Sequence, residues 1–273
     1  MKCIQINSKN ADMLINPAMK KTRSIPNFEI YRDRILPSLQ KHFRRPVQGI
    51  AAIHNEQCVG YMLFGPIQEA ALPIHCVLPD IPVIFCYYAE KKYQGNKLDN
   101  LLLDEVIKSS GKAPGILTMS TDSKDYMPAK SFLKMGFQAV NKMDDLQVLY
   151  KPARQKLIEA ELFTPELEWD YIRPFTFISH PVCLYLLHLQ NMQKSVCEKF
   201  KNLLPVEELS WQEARQKDPH AIPGFYCFGR FVPHFSLSER KLSRTIKKCI
   251  QAESYKTFGA ASSTAYKKRK SDS

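Results

Sequence analysis

Residues Val83–Lys108, VIFCYYAEKKYQGNKLDNLLLDEVIK, decide the fold. The stretch opens on Val, Ile, Phe, Cys and two Tyr, the composition of a buried strand. A polar turn follows at Ala89–Gly95. Leu98, Leu101, Leu102, Val106 and Ile107 then recur at helical spacing, so the turn leads straight into a helix. A strand, a tight turn and a helix N-terminus aim several backbone N–H groups in one direction. Such a place accepts phosphate oxygens.

Two flanking segments extend the pattern. Downstream, Ala129-Lys-Ser-Phe132-Leu-Lys-Met-Gly136-Phe137 reads as a short helix stopped by Gly136, with Phe137 entering a strand. Upstream, Gly49–Ile53 and Val59–Phe64 flank His54-Asn-Glu-Gln57 as a strand hairpin. In order and spacing these segments resemble the GNAT N-acetyltransferase superfamily over roughly residues 1–150. That family cradles the coenzyme A pyrophosphate in a Gln/Arg-x-x-Gly-x-Gly/Ala loop, and the corresponding residues here are Gln94-Gly95-Asn96-Lys97-Leu98-Asp99. Lys97 and Asp99 stand where the family carries small residues. Lysine can add positive charge for an anion, and aspartate repels one if it points inward.

The resemblance implies acetyl-CoA as cosubstrate and no metal. It places cofactor binding at Tyr88, Ala89, Gln94, Gly95, Asn96, Lys97, Leu98 and Asp99. An N-acetyltransferase must hold a thioester beside an amine, remove a proton from that amine and stabilise an oxyanion. The resemblance implies that Val83–Tyr88 splays from its neighbouring strand and that backbone near Tyr88 and Ala89 pairs with the pantetheine arm. Candidate catalytic side chains are Tyr88 and Glu90, with Tyr126 and Asp122 as further groups in reach. Where the family often has a tyrosine as acid, four residues before Gly-Phe, this chain has Phe132, which has no proton to give.

The chain has 273 residues, enough for one or two domains with a real core. Its 44% hydrophobic and 24% charged content is that of a soluble globular protein. No apolar run reaches the ~18 residues of a membrane span. Met1-Lys-Cys-Ile-Gln-Ile reads as a first strand and not as a signal peptide. Eight cysteines without a C-x-x-C spacing point to buried reduced thiols and a cytoplasmic protein. Seven dispersed histidines form no metal-binding motif. The formal charge of +12 is concentrated at the end: from Glu239 onward ten Lys/Arg face three acids. The terminal Tyr266-Lys-Lys-Arg-Lys reads as a solvated tail, and without a basic–aromatic platform it makes no case for nucleic acid as a partner.

Around the central pattern, Met13–Phe43 reads as helices and Gln68–Pro82 as a loop. Residues 153–168 read as a partly helical linker. Beyond it, Tyr171–Ile178 is strand-like, and Pro181 opens a helix carrying Leu184, Leu187, Met192, Val196 and Phe200. Val206–Leu209 is a short strand and Trp211–Lys217 a short helix. Ile222-Pro223 precedes two runs, Phe225–Phe228 and Phe231–Phe235, and a helix starts at Ser238. This order resembles the thioredoxin/glutaredoxin fold, which implies a cis-proline before the third strand. A GNAT domain followed by such a module resembles the YoaP-type acetyltransferases. His180-Pro-Val-Cys183 occupies the place of a thioredoxin Cys-x-x-Cys, with only the second cysteine present. A lone thiol there cannot complete a dithiol–disulfide cycle.

The sequence therefore predicts an α/β protein with a GNAT mixed-sheet acyl-CoA fold at 1–150, a linker at 151–170, a smaller thioredoxin/glutaredoxin-like module at 171–252 and a basic tail at 253–273. Its expected activity is acyl transfer from acetyl-CoA to a small-molecule or peptide amine. A catalytically degenerate GNAT-fold protein that binds coenzyme A, or serves as an interaction module, is the alternative. The acceptor and the oligomeric state are left open.

Overall fold

The structure is a computed structural model. It describes residues 1–15, 36, 37, 39–41, 43, 46–78, 80–94, 97–122, 126–155, 157–169, 173–180, 183–200, 204–233, 235 and 238–253.

The larger sheet has seven strands in the order β1-β2-β3-β5-β6-β8-β7. They are β1 Lys2–Ile6, β2 Gln48–His54, β3 Gln57–Pro66, β5 Pro82–Ala89, β6 Gly115–Thr121, β7 Gln138–Met143 and β8 Leu146–Pro152. The expected hairpin is β2–β3, closed at Asn55 and Glu56, both with positive φ, as a two-residue hairpin loop requires. All neighbours are antiparallel except β5 and β6. A parallel pair needs a crossover, and helix α1, Leu98–Ser109, supplies it, burying Leu98, Leu102, Leu103 and Val106. Helix α2, Ala129–Lys134, buries Ala129 and Phe132 and ends at Gly136, whose φ of +84° is the left-handed stop expected from the sequence.

Two expectations are corrected between these elements. Gln68–Pro82 is not simply a loop: a helical turn at Ile67–Ala70 precedes β4, Ile74–Cys76. The linker carries no helix among its described residues; instead Ala160–Leu162 forms β9, antiparallel to β4. The partners are more than eighty positions apart, so the pairing leaves no local signature. The helices expected over Met13–Phe43 lie mostly outside the described residues, and so do the tail from 254, Gly95, Asn96 and Pro181.

A second sheet of four strands has the order β11-β10-β12-β13. It comprises β10 Phe175–Ser179, β11 Val206–Ser210, β12 Gly224–Cys227 and β13 Arg230–Phe231. β10 and β11 are parallel, joined by α3, Leu184–Glu198; β12 and β13 form an antiparallel hairpin beside β10. Helix α4, Trp211–Lys217, matches its expected bounds and starts from a capping box between Ser210 and Glu213. Helix α5 spans 239–253 and buries Leu242 and Ile246 against Phe175, Phe177 and Phe225. Cys183 is the N-cap of α3, one position before the helix and not inside it. Among the described residues, Pro223 included, no peptide bond is cis.

Candidate active site

Strands β5 and β6 pair only at Val83–Leu117 and Ile84–Thr118, and beyond these residues they diverge. β5 stays on the β3 ladder to Ala89, but with a shift of register: Leu63 faces Cys86 while Phe64 faces Ile84. Phe85 is thus the extra residue of a β-bulge, set where the divergence begins. Bulges bend a strand and re-aim its side chains. The Tyr126 hydroxyl, from the loop after β6, donates to the Phe85 carbonyl at 2.9 Å and ties the mouth of the fork. Tyr126 is buried, which holds its hydroxyl pKa well above the usual tyrosine value, so it remains a donor.

Past the bulge, alternation sends side chains to opposite faces. Tyr87 turns toward the helices. Its hydroxyl donates to Asp99 Oδ1 at 2.7 Å, and its ring meets Phe132 edge-on at 5.5 Å between centroids. Burial, then the bond to Asp99, drives the Tyr87 pKa far upward and keeps its proton in place. Asp99 is thereby held by β5 from the first turn of α1. Phe132 is fully buried, with Tyr87 on one side and Phe137 on the other.

On the opposite face, Tyr88 stacks on Tyr61 at 5.6 Å. Burial and then the charge of Glu90 raise the Tyr88 pKa, so this side chain holds its proton at neutral pH. Glu90 is 3.7 Å from Lys92, and its backbone N–H donates to Val59. The structure therefore groups Tyr88 with Glu90 on the exit of β5.

The turn toward α1 is knit by backbone. Tyr93 and Gln94 N–H groups donate to the Glu90 carbonyl, and Gln94 Nε2 donates to the Ala89 carbonyl at 2.9 Å. Lys97 is exposed and takes φ +66° at the N-cap of α1. That is the left-handed conformation glycine adopts without strain. Leu98 is buried beneath it. Gln94, Lys97, Leu98 and Asp99 thus share the β5–α1 connection with Ala89, while Gly95 and Asn96 lie outside the described residues. Asp122 lies away from Tyr88 and Glu90, engaged with Lys142 at 3.3 Å and Gln147 at 2.9 Å.

The second unit covers the Tyr88 face. Tyr126 is sandwiched between Tyr185 and Phe235, at 5.2 and 5.4 Å. Cys183, Leu186 and Leu189 belong to the core of the larger sheet. Between the units lies a small, mostly apolar cavity, lined among others by Met119, His180, Leu186, Gln190, Phe225 and Phe235. Met119 is the first β6 residue beyond the last pair with β5. Gln190 is buried; its Nε2 donates to the Ile178 carbonyl at 2.6 Å while its Oε1 lacks a hydrogen-bond partner. Sequence reasoning missed Tyr61, whose partner Tyr88 lies on a neighbouring strand, and Cys86, whose Sγ lies 3.2 Å from that of Cys183 in the second unit. It missed Tyr87 because its partner Asp99 was read as facing phosphate.

Among the described residues no group of His, Cys, Asp and Glu could hold a metal, and no helix is long and apolar enough to cross a membrane. No protein-family model and no curated protein matches the sequence. Solved structures similar to this one include GNAT acetyltransferases. The PaiA N-acetyltransferase of Thermoplasma acidophilum, in complex with coenzyme A, is 14% identical over 56% of this chain and 100% of its own, with a TM-score of 0.40. A GNAT-family acetyltransferase from Desulfovibrio desulfuricans is 14% identical over 55% of this chain and 99% of its own, at 0.41. Aminoglycoside 6'-acetyltransferase type Ii is 16% identical over 56% of this chain and 97% of its own, also at 0.41.

Proposed function

We propose that the chain is an acyl-CoA-dependent N-acyltransferase that moves acetyl from acetyl-CoA to an amine. The observation that carries this reading is the fork: β5 and β6 part after Ile84 and Thr118, at a bulge, and β5 then runs through a hydrogen-bonded turn into α1. A fork between parallel strands exposes backbone to a long thin ligand, and a turn entering a helix suits its phosphates. This is the arrangement the sequence resemblance asks for.

In this reading, acetyl-CoA supplies the activated acyl group. Backbone along β5 beyond the bulge receives the pantetheine arm, and the turn at Gln94 with the start of α1 receives the pyrophosphate, with Lys97 as the added positive charge and the Asp99 carboxylate held aside by Tyr87. Tyr88, whose proton is held by burial and by Glu90, serves as donor to the departing thiolate and not as a base. Glu90 is the carboxylate for the amine proton. The cavity beyond Met119 accepts a small amine, with Gln190 Oε1 as a hydrogen-bond acceptor for its N–H. The domain division we adopt is 1–150 for the transferase, 151–170 for the linker, 171–252 for the second module and 253–273 for the tail. A thioredoxin-like reading of the second module is supported by its β-α-β-α-β-β order, with the first strand between the second and third.

One observation favours the degenerate alternative: Phe132, enclosed by Tyr87 and Phe137, places no acid at the family's usual position. Thermal unfolding with acetyl-CoA, followed by mass spectrometry of a panel of amines, separates the readings. A transferase is stabilised by about 2.7 kcal/mol at a hundredfold excess over Kd and yields an acetylated product. Stabilisation with no product across the panel selects the degenerate reading. Absence of both rejects the coenzyme A site.

A further inference from the structure

Cys86 and Cys183 are 97 residues apart in the chain, yet their Sγ atoms are 3.2 Å apart. One belongs to each unit. Cys86 sits on β5 immediately after the bulge, and Cys183 caps α3 of the second sheet. Both are closed to solvent. Tyr61 and Tyr126 stand close to the pair: burial, and after it the two thiols, hold both hydroxyl pKa values well above the usual tyrosine value. The backbone N–H of Cys183 donates to His180 Nδ1 at 3.0 Å, which leaves the ring proton on Nε2, turned toward the Ala70 carbonyl at 3.4 Å. Two thiols so placed need approach by only about 1 Å to reach the disulfide bond length of about 2.05 Å.

We propose that Cys86 and Cys183 are a dithiol–disulfide couple split between the two units. The second unit lacks the first cysteine of a Cys-x-x-Cys, and β5 of the larger sheet supplies the missing thiol. A lone thiol in its own segment thus becomes one of a pair in the folded chain. The oxidant is a small hydroperoxide. One thiolate attacks the peroxide O–O bond, forming a sulfenic acid and releasing water from a hydroperoxide such as hydrogen peroxide. The second thiol then attacks that sulfur, the S–S bond forms, and the hydroxyl leaves as a second water. Two thiols and one hydrogen peroxide yield one disulfide and two waters, with two electrons passed to the peroxide. Both sulfurs are buried, so oxidant reaches them through a transient local opening, and the disulfide then ties the second unit to β5. The pairing of the two thiols does not rest on which reading of the fork is right.

The test uses the full reduced chain at neutral pH, treated with hydrogen peroxide up to the dose that fully modifies the partly exposed Cys249. The protein is then denatured, alkylated and digested without reductant for mass spectrometry. The expected product is a linked pair of peptides containing Cys86 and Cys183, two hydrogens lighter than their sum and separated by dithiothreitol. Cys183→Ser leaves Cys86 alkylated and removes the linked pair. The oxidised wild-type chain also melts above the reduced one, and Cys183→Ser shows no such shift. Recovery of both cysteines as alkylated thiols at that dose overturns the proposal. So does either one linked to a different cysteine, or carried to a sulfinic acid without a partner.

Discussion

Replacing Tyr126 by phenylalanine removes one oxygen atom from the mouth of the fork. The Tyr126 ring is buried and stacked on both faces, by Tyr185 and Phe235, so Tyr126→Phe keeps the aromatic packing. It loses the 2.9 Å hydrogen bond to the Phe85 carbonyl, at the bulge where β6 has already left β5. A made hydrogen bond contributes about 0.5–1.5 kcal/mol, and a buried carbonyl left unsatisfied raises the loss toward about 1–3 kcal/mol. The expected destabilisation is therefore about 2 kcal/mol. For a chain of this size that lowers Tm by roughly 4–8 °C. Tyr126→Ala, which also discards the ring, should cost about 3–5 kcal/mol. Urea unfolding of the three proteins measures both steps. If Tyr126→Phe unfolds within a few tenths of a kcal/mol of wild type, the hydroxyl does not hold Phe85 and the fork is tied by something else.

Three further outcomes follow from single positions. A Cβ at Gly115 would stand 2.5 Å from the Lys151 carbonyl oxygen and clash with the edge and hydroxyl of the Tyr150 ring, so Gly115→Ala should cost more than about 2 kcal/mol by urea unfolding. Lys97 holds φ +66°, so Lys97→Gly should relieve about 1 kcal/mol of left-handed strain, partly offset by glycine's freedom in the unfolded chain; a stability unchanged or slightly raised is expected in the same assay. The hydrogen bond from Cys227, aided by Arg230, lowers the Cys249 pKa to about 7, while burial pushes Cys197 up to about 12. The thiolate is the reactive form and appears as pH rises through the pKa, so iodoacetamide should label Cys249 with a midpoint near pH 7 and leave Cys197 unlabelled there. Arg230→Gln should move that midpoint upward.

The strands and helices that a local pattern specifies were open to reading in the sequence. Val83–Tyr88, the helix from Leu98, the Gly136 stop and Trp211–Lys217 each carry their own period or cap, and each stands at or within a residue or two of its expected place. What escaped was made by pairing across distance. β4 and β9 are three residues each, too short for any period, and exist because Ile74 meets Leu162. The same holds at the site. The turn from Gln94 to Asp99 could be located from its strand and helix, but not the direction of Asp99, which is settled by the Tyr87 hydroxyl on a neighbouring element.

The cysteines carry this point furthest. Read along the chain, Cys183 is half of a motif whose other half is absent, and the chemistry of a thiol pair is excluded on spacing alone. Spacing measures only the separation that a single turn can close. A bulge at Phe85 places Cys86 on the covered face of β5, and the N-cap of α3 is laid against that face by Leu186, Leu189 and Tyr185. Both requirements of the pair, proximity and a shared buried surface, are thus met by packing between the units. The features that open the fork for a ligand also fix where the second thiol can stand. An engineered straightening of β5 at Phe85 would for that reason close the fork and part the two sulfurs together.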